Sequence, residues 1–343
     1  MNMSDLNEAT NKCGWFYDDG LLKIYPVNEN GGVLDMNEII RGRDGDDSDF
    51  RKIPADIIYR IKIEEGVQLK SDGSEQFAHL ENCRRMDLSG LDTSNVTDMT
   101  GMFAGCRSLY DLNISNFDTS NVSNFKGMFS NCEGLHHLNL QNFDTQKVTD
   151  MSDMFAECAS LTDLDLSHFD TSNVTTMRAM FAECYRLTDL NVSHFDTSKV
   201  VDMAYMFEEC IKLSNLDLSH FDTSNVTDMS NMFNQCLRLS DLDLSSFNTE
   251  NVTDMSDMFA ECVSLTDLDL SHFKTENVTR MSGMFKDCED LEQLDISGFD
   301  FSNLEESGDM FTGTYFEHLM TPDNEFYRMF LDKPKETPSD FDR

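Results

Sequence analysis

The sequence predicts an α/β solenoid, in which each repeat of 26 residues supplies one short helix and one parallel strand. Two observations predict it. A single unit recurs without slippage through most of the chain, and within the unit the spacing of apolar residues changes from helix-like to strand-like. The unit Phe221–Ser246 reads FDTSNVTDMSNMFNQCLRLSDLDLSS, and it recurs with small changes from Leu91 to Gly298.

Two columns of residues fix the period. An apolar residue opens each unit, and a cysteine stands in its middle. The opening residues are Leu91, Phe117, Phe143, Phe169, Phe195, Phe221, Phe247, Phe273 and Phe299. The cysteines are Cys106, Cys132, Cys158, Cys184, Cys210, Cys236, Cys262 and Cys288. Eight units in register exclude a chance pattern.

The first half of the unit predicts a short helix, because its apolar residues are three or four apart: Val226, Met229, Met232, Phe233 and Cys236. Thr227 is placed to cap this helix by accepting a free backbone amide.

The second half of the unit predicts a strand, because inward leucines alternate with outward acids. Leu242 and Leu244 point inward, and Asp241 and Asp243 point outward. One strand and one helical turn cannot bury their apolar faces alone, but stacked copies can. We therefore expect a parallel sheet on one side, with strands about 4.8 Å apart, and helices on the other.

These residues also carry a family resemblance. FDTSNVTDMSNMF followed by C-x-x-L-x-x-LDLS resembles the BspA-like leucine-rich repeats of many bacterial surface proteins, over about two thirds of the chain. The segments Cys13–Trp15, Asp18–Leu21 and Ile63–Val67 resemble the leader module of some members. The resemblance implies a leucine-rich-repeat-like fold, protein-binding or adhesive roles and no catalytic residues. Surface members carry export and anchoring signals, and neither is visible in this sequence.

The chain is predicted to have five segments. Residues 1–12 are a mobile N-terminus, 13–90 an N-terminal cap with a β-hairpin and half a repeat, and 91–298 the eight repeats. Residues 299–332 are a degenerate repeat and a C-terminal cap, and 333–343 a disordered tail. The aromatic stretch Phe316–Leu331 is interpreted as a helix that caps the last repeat or, alternatively, binds a partner or forms a dimer contact.

Composition restricts the function. The formal net charge is −38, so we expect no direct binding to nucleic acid, because its phosphates would be repelled. The N-terminal residues lack the basic and apolar regions of a signal peptide, and no stretch approaches the roughly 18 apolar residues of a membrane span. Eight of the ten cysteines occupy one inward column and are expected to be reduced core residues. We expect a cytoplasmic protein or, if an export signal precedes this sequence, a cell-surface one.

The candidate site is a double column of acids on the outward side of the strands. Its members are Asp163, Asp165, Asp189, Asp217, Asp241, Asp243, Asp267, Asp269 and Asp295, with Asn at some intervening positions. Carboxylates one strand apart repel by about 1 kcal/mol even in water, so their stacking is a cost that the fold does not require. Two interpretations stay open: a solvated face in which Asn relieves repulsion, or a surface that docks a basic partner. Bridging by Ca²⁺ is a third.

Other candidates are weaker. His168, His194, His220 and His272 share a column that could bind a metal or respond to pH, or could be exposed without a specific role. The run Asp44–Asp49 resembles a calcium loop in composition only, because Asp49 stands where an EF-hand requires Gly. No phosphate-binding glycine loop, H-E-x-x-H or serine elbow is present, so we expect neither an enzyme nor a cofactor.

The sequence thus predicts a non-enzymatic acidic repeat protein that binds a basic protein surface. Its sharpest version is a phage or mobile-element inhibitor that mimics nucleic acid and blocks a nuclease or another nucleic-acid-binding protein. The alternative is a bacterial surface adhesin that binds host proteins. Arg186, Lys212 and Arg238 fall near the acids and would interrupt a uniformly anionic face if they shared it.

Overall fold

A computed structural model describes residues 12–29, 31–42 and 51–322. Its strands are β1 Cys13–Asp18, β2 Leu21–Pro26, β3 Gly32–Val33, β4 Ile40–Arg41, β5 Ile53–Pro54, β6 Arg60–Ile63, β7 Val67–Gln68, β8 Arg85–Asp87, β9 Leu91–Asp92, β10 Asp111–Asn113, β11 Asp267–Asp269, β12 Gln293–Asp295 and β13 His318–Met320. Two short 3-10 helices span Met36–Glu38 and Ala55–Ile57.

The N-terminal hairpin and the first repeats share one sheet. β1 and β2 are antiparallel, and the turn between them uses Asp19 and Gly20 at φ 42° and 77°. From β2 onward the sheet is parallel, in the order β1-β2-β6-β8-β10. Arg85 lies opposite Asp111, which is one 26-residue period later. The hairpin therefore continues the repeat sheet at its N-terminal end.

The parallel sheet is formed at both ends of the array and is loose between them. β11, β12 and β13 form a second parallel sheet, in which Leu268 lies opposite Leu294. Between residues 114 and 266 no strand is formed, and the corresponding segments of adjacent repeats make only long contacts, such as Thr188 N to Thr162 O at 3.5 Å. The predicted solenoid with its fixed period is confirmed, but its sheet is continuous only near the ends.

The predicted helix is not formed in the repeats; consecutive tight turns take its place. In Met99–Cys106, alternate amides donate in two directions. One set bonds within the segment to the carbonyl three residues back, as Ala104 N does to Gly101 O at 2.9 Å. The other set crosses to the next repeat, as Phe103 N does to Met128 O at 2.9 Å. An α-helix would instead bond each amide to the carbonyl four residues back.

Left-handed residues explain why the helix is excluded. Each repeat places two residues at positive φ, four positions apart, as Ala179 and Glu183 do at 51° and 57°. An α-helix requires φ near −63° at every position, so two left-handed residues interrupt it. The left-handed conformation costs a residue with a Cβ about 1–2 kcal/mol, and the hydrogen bonds to the next repeat offset that cost.

The same segment carries an unbroken column of parallel bridges from Asp72 to Glu306. Thr227 lies beside this column. The sequence predicts it to be a helix cap, but its hydroxyl instead donates to Val201 O of the preceding repeat at 3.1 Å. On the loop side, the buried Thr223 hydroxyl donates to Asn248 O and accepts from Asn248 N, at 2.9 and 2.8 Å. Successive repeats are thus joined on the turn side and on the loop side.

The core is a continuous stack of side chains. One phenylalanine column runs from Phe77 to Phe311, with ring centroids 5.5–5.9 Å apart and nearly parallel rings. Beside it, each cysteine thiol donates to a carbonyl of the preceding repeat, as Cys210 Sγ does to Phe181 O at 3.2 Å. Burial holds the pKa of the Cys210 thiol well above its ordinary value. All ten cysteines are free, and the column uses protonated thiols as donors.

At the C-terminal end the aromatic stretch does not begin as a helix, because His318–Met320 is strand β13 and pairs with β12. The rest of Phe316–Leu331 from residue 323 lies outside the described residues, as do the Asp44–Asp49 run, residues 1–11 and the tail 333–343. The segment boundaries drawn from the sequence stay predictions.

The turns predict opposite effects for two glycine substitutions in one repeat. Ala179→Gly should raise the free energy of unfolding by about 0.5–1 kcal/mol, because it relieves a left-handed Cβ. Ala182→Gly, at a buried position with ordinary φ, should lower it by about 1 kcal/mol. Urea unfolding followed by circular dichroism measures both. If the segment were helical, both substitutions would destabilise the protein, so a loss of stability in Ala179→Gly contradicts the turns.

Candidate protein-binding face

The nine predicted acids lie together on one side of the molecule, which we call the acidic strand face. Eight are exposed and Asp295 is partly buried. In the paired strands, Asp267 lies opposite Gln293 and Asp269 opposite Asp295. The acids form two columns. The outer column contains Asp163, Asp189, Asp241 and Asp267, and the turn column contains Asp165, Asp217, Asp243, Asp269 and Asp295.

The turn column has a structural task. Asp243 accepts the amide of Ser245 at 2.9 Å, and Asn191 accepts the amide of Ser193 at 3.1 Å in the same way. The hydroxyl and amide of Ser219 hold the pKa of Asp217 below its ordinary value. These side chains close the turn after the strand, which either Asp or Asn can do. Turn chemistry therefore explains the alternation of Asp and Asn without invoking relief of repulsion.

The outer column is largely free of such tasks. Within residues 51–322, Asp189 and Asp241 make no side-chain hydrogen bond and no ion pair. Asp163 faces Nδ1 of His137 at 3.2 Å, and Asp267 accepts the hydroxyl of the adjacent Thr266 at 2.7 Å. Asp189 and Asp241 are consequently exposed charges that the described fold does not use.

The cations beside this face do not neutralise it. Arg186 and Arg238 are exposed and Lys212 is partly so, and none of the three lies within 4.0 Å of an acid of the described chain. The face therefore combines unpaired acids with a few unpaired cations before the strands. It is acidic without being uniformly anionic.

The N-terminal end of the same sheet is rich in cations, which the sequence analysis did not identify. Lys23 lies opposite Lys62, and Arg60 lies opposite Arg85. We call this end the basic–aromatic patch; its residues are Phe16, Lys23, Tyr25, Tyr59, Arg60, Lys62, Arg84, Arg85 and Tyr110. The signal was the alternation of LLKIY and RIKI, which directs these cations outward on strands whose partners are buried.

The patch is ordered by contacts between its cations and aromatic rings. The Arg85 guanidinium lies 5.4 Å from the centre of the Tyr110 ring, and its Nε donates to the Tyr110 hydroxyl at 2.9 Å. Arg84 lies 6.0 Å from the centre of the Tyr59 ring. Three of the five cations also pair with acids of the same sheet: Lys23 with Glu64 at 2.7 Å, Lys62 with Asp87 at 3.9 Å and Arg85 with Asp111 at 3.6 Å. The exposed arginines are thus held in fixed positions by stacking.

The histidine column does not form a cluster of free imidazoles. Nε2 of His168 lies 2.7 Å from Leu140 O, and Nε2 of His194 lies 2.9 Å from Leu166 O. His272 repeats the contact at 3.0 Å from Leu244 O. Since a carbonyl can only accept, each of these rings donates through Nε2 to the preceding repeat. His168, His194 and His272 thus join neighbouring repeats through hydrogen bonds.

A second group of acids lies on the turn side and is partly buried. Burial, followed by the nearby charges of Glu209 and Glu183, raises the pKa of Glu208 to about 7. Burial and Glu183 likewise raise the pKa of Glu157. Asn131 Nδ2 donates to Glu157, and the Oδ1 atom of Asn131 is buried without a partner in the described chain. The ionised forms of Glu157 and Glu208 are therefore destabilised in the folded protein.

Neither a metal site nor a membrane-spanning helix is found in the part of the chain that the structure describes. There, no group of three or more His, Cys, Asp or Glu side chains is arranged to hold a metal ion. No helix in the described ranges has the length and apolar character needed to cross a bilayer.

Comparison with known proteins gives one family match and several similar structures. A family model described as "Mycoplasma protein of unknown function, DUF285" matches residues 71–188, 158–262 and 235–321, which together span 71–321. No curated protein sequence matches the chain.

Three crystal structures are similar over most of their length. A leucine-rich cell surface protein from Faecalibacterium prausnitzii has 16% identity and a TM-score of 0.38, covering 92% of this chain and 94% of its own. A leucine-rich repeat protein from Bacteroides ovatus has 14% identity and a TM-score of 0.40, covering 90% and 92%. One from Eubacterium ventriosum has 15% identity and a TM-score of 0.36, covering 89% and 93%.

The buried acids predict that mild acidification stabilises the protein. The folded pKa of Glu208, about 7, lies above its ordinary 4.5, so folding favours the protonated form. The penalty is present above pH 7 and is relieved as the pH falls toward 4.5. The melting temperature should therefore be higher at pH 5.5 than at pH 8, and Glu208→Gln should reduce that difference.

Differential scanning fluorimetry across this pH range measures the effect, with Glu289→Gln on the exposed surface as the control. The stabilisation should end below about pH 4, because the pKa of Asp217 is lowered from its ordinary 3.8 by Ser219 and folding therefore opposes protonation of this carboxylate. A melting temperature that falls steadily from pH 8 to 5.5 would contradict this interpretation.

Proposed function

Because the chain belongs to the family described as Mycoplasma protein of unknown function, DUF285, a description that names no activity, we propose a function from its surface chemistry. The protein is a non-enzymatic binding solenoid, and its acidic strand face binds a basic surface on a partner protein. The observation that carries this proposal is the pair of exposed, unpartnered carboxylates of Asp189 and Asp241, which serve no purpose in the described fold.

Electrostatic complementarity suits such a face to recognition. The acids recur once per repeat, and paired strands lie about 4.8 Å apart where they form, so a basic partner meets a row of charges rather than one isolated ion pair. Rows of like charge steer an oppositely charged partner and accelerate association, and this effect weakens as salt is added. The cost of holding like charges together is then recovered when the partner binds.

Two biological versions follow from this one chemistry. In the first, the protein inhibits a nucleic-acid-binding protein or nuclease by occupying its basic groove, and the two parallel columns of carboxylates favour this version. Duplex DNA carries one charge per about 1.7 Å, a higher density than up to two acids per strand supply. The acidic strand face would therefore compete by charge and by contact together.

In the second version the protein is a bacterial surface adhesin. The observation that favours it is the repeat motif, FDTSNVTDMSNMF followed by C-x-x-L-x-x-LDLS, which resembles the BspA-like repeats of surface proteins. The basic partner would then be a host protein outside the cell.

The outer column should control binding to basic proteins. We expect Asp189→Asn with Asp241→Asn to weaken binding to lysozyme, cytochrome c and core histones about three- to tenfold at low salt. Biolayer interferometry at 50 and 200 mM NaCl measures the affinities. The matched control is Glu276→Gln with Glu305→Gln, which removes the same charge from exposed positions off the strand face. Equal losses in both double variants would assign the binding to net charge alone.

Two further measurements separate the versions. Competition with a 20-base-pair DNA duplex for a captured nucleic-acid-binding protein should succeed only for the inhibitor. Labelling of intact producing cells with an antibody against the repeats should succeed only for the adhesin. If the acidic strand face captures no basic protein in either setting, the proposed function is wrong.

A further inference from the structure

We propose that the strand side of this protein is a self-association surface, on which the basic–aromatic patch of one copy binds the acidic strand face of a second copy. The inference goes beyond the proposed function, because it assigns a partner to the basic–aromatic patch. Its starting point is the charge polarity along one side of the solenoid. The cations come from β2, β6 and β8, and the acids from the strand positions between Asp163 and Asp295.

The patch has the composition of a protein interface. Phe16, Tyr25, Tyr59 and Tyr110 are 55%, 41%, 44% and 45% exposed, and they account for four of the seven large apolar or aromatic residues exposed in the described chain. Arginine and tyrosine are among the residues that are enriched in protein interfaces. Here the stacking of Arg85 on Tyr110 and of Arg84 on Tyr59 already restricts the side chains, which lowers the entropy cost of binding.

The charge of the whole chain limits which partner the patch can take. A long polyanion such as nucleic acid would extend from the patch over the acidic strand face and be repelled there, in a protein of net charge −38. A second copy carries the same net charge, but it can place its strand-face acids opposite the cations of the patch, and the rest of its surface can lie further away. A second copy is also present at the same concentration wherever this protein is made.

A twofold axis between two copies would bring each basic–aromatic patch onto the acidic strand face of the other copy, which gives two equivalent contacts. The patch is centred on β6, and the acids are centred about six strands further on, roughly 29 Å away at 4.8 Å per strand. A twofold axis through the strand position of residues 137–139 places β8 of one copy opposite the Asp189 position of the other. The same axis places β2 opposite Asp241 and Asp243. Both patches and both acidic faces are used, as in an isologous dimer.

The expected dimer is weak and sensitive to salt. A strip about 43 Å long and only two outward side chains wide buries less than the roughly 1,200 Å² of a standard stable interface. Most of its attraction comes from exposed charges, which are screened over about 8 Å at physiological salt. We expect a monomer–dimer equilibrium at low salt that shifts to monomer as salt is added.

Sedimentation velocity of the full chain at 25 and 500 mM NaCl, over a concentration series, measures this equilibrium. The wild-type protein should dimerise at 25 mM and be monomeric at 500 mM. Two charge-reversed variants, Arg60→Glu with Lys62→Glu and Asp189→Lys with Asp241→Lys, should each be monomeric at both salt concentrations. Each variant would face like charge across both contacts of its own dimer.

Mixing the two variants is the decisive step. In the mixed dimer, one contact pairs a patch made acidic with a face made basic, and the other contact is wild type. The mixture should therefore recover dimer at 25 mM NaCl. Lys126→Glu with Lys147→Glu, which reverses two exposed cations outside the patch, should dimerise like wild type. Circular dichroism confirms that each variant is folded.

A wild-type protein that stays monomeric at 25 mM NaCl would overturn the proposal, as would assemblies that keep growing with concentration. Failure of the mixed variants to dimerise would also overturn it. These readouts use no other protein, so their failure leaves the binding of a basic partner to the acidic strand face untouched. Loss of that binding, in turn, would leave the dimer measurement unaffected.

Discussion

Hydrogen bonds between successive repeats are the constraint on which this structure depends. On the turn side, alternate backbone amides of one repeat donate to carbonyls of the next, as Phe181 N does to Met206 O at 3.0 Å. On the loop side, the buried threonine column bonds both backbone groups of a residue in the next repeat. Inserting one residue would misalign the hydrogen bonds that this repeat makes to its neighbours, because those bonds join positions about one period apart. The unvarying period of 26 residues is therefore a requirement of the backbone as well as of the core.

The sequence was sufficient to predict the solenoid, its register and its core columns, because buried Phe, Met, Cys and Leu recur at fixed positions. It was not sufficient to distinguish a helix from consecutive turns, since both return a side chain to the core every three or four residues. A signal for the turns was present in one column, where Gly101, Gly127 and Gly283 alternate with Asp153 and Asn231. These residue types tolerate positive φ, and their recurrence at one position is atypical of a helix interior.

For the candidate site, sequence placed all nine acids on one side but could not separate their roles. The turn column closes backbone turns, and that task depends on hydrogen bonds invisible in a pattern of alternating residues. The basic–aromatic patch was missed for a different reason. A net charge of −38 describes the chain as a whole, whereas Arg60 and Arg85 are brought together only by the parallel pairing of β6 and β8. The charge polarity along the strand side therefore depends on the register in which the strands pair.

The two sides on which the repeats are joined also explain why the sheet can be loose in the middle of the array. Charge does not decide where strand hydrogen bonds form, because Arg60 lies opposite Arg85 and Asp269 opposite Asp295 in formed strands. Between residues 114 and 266 the repeats are held together by the bridges on the turn side and by the buried threonines on the loop side. The fold can therefore do without strand hydrogen bonds on that face, and the exposed carboxylates of Asp189 and Asp241 stay available to a partner.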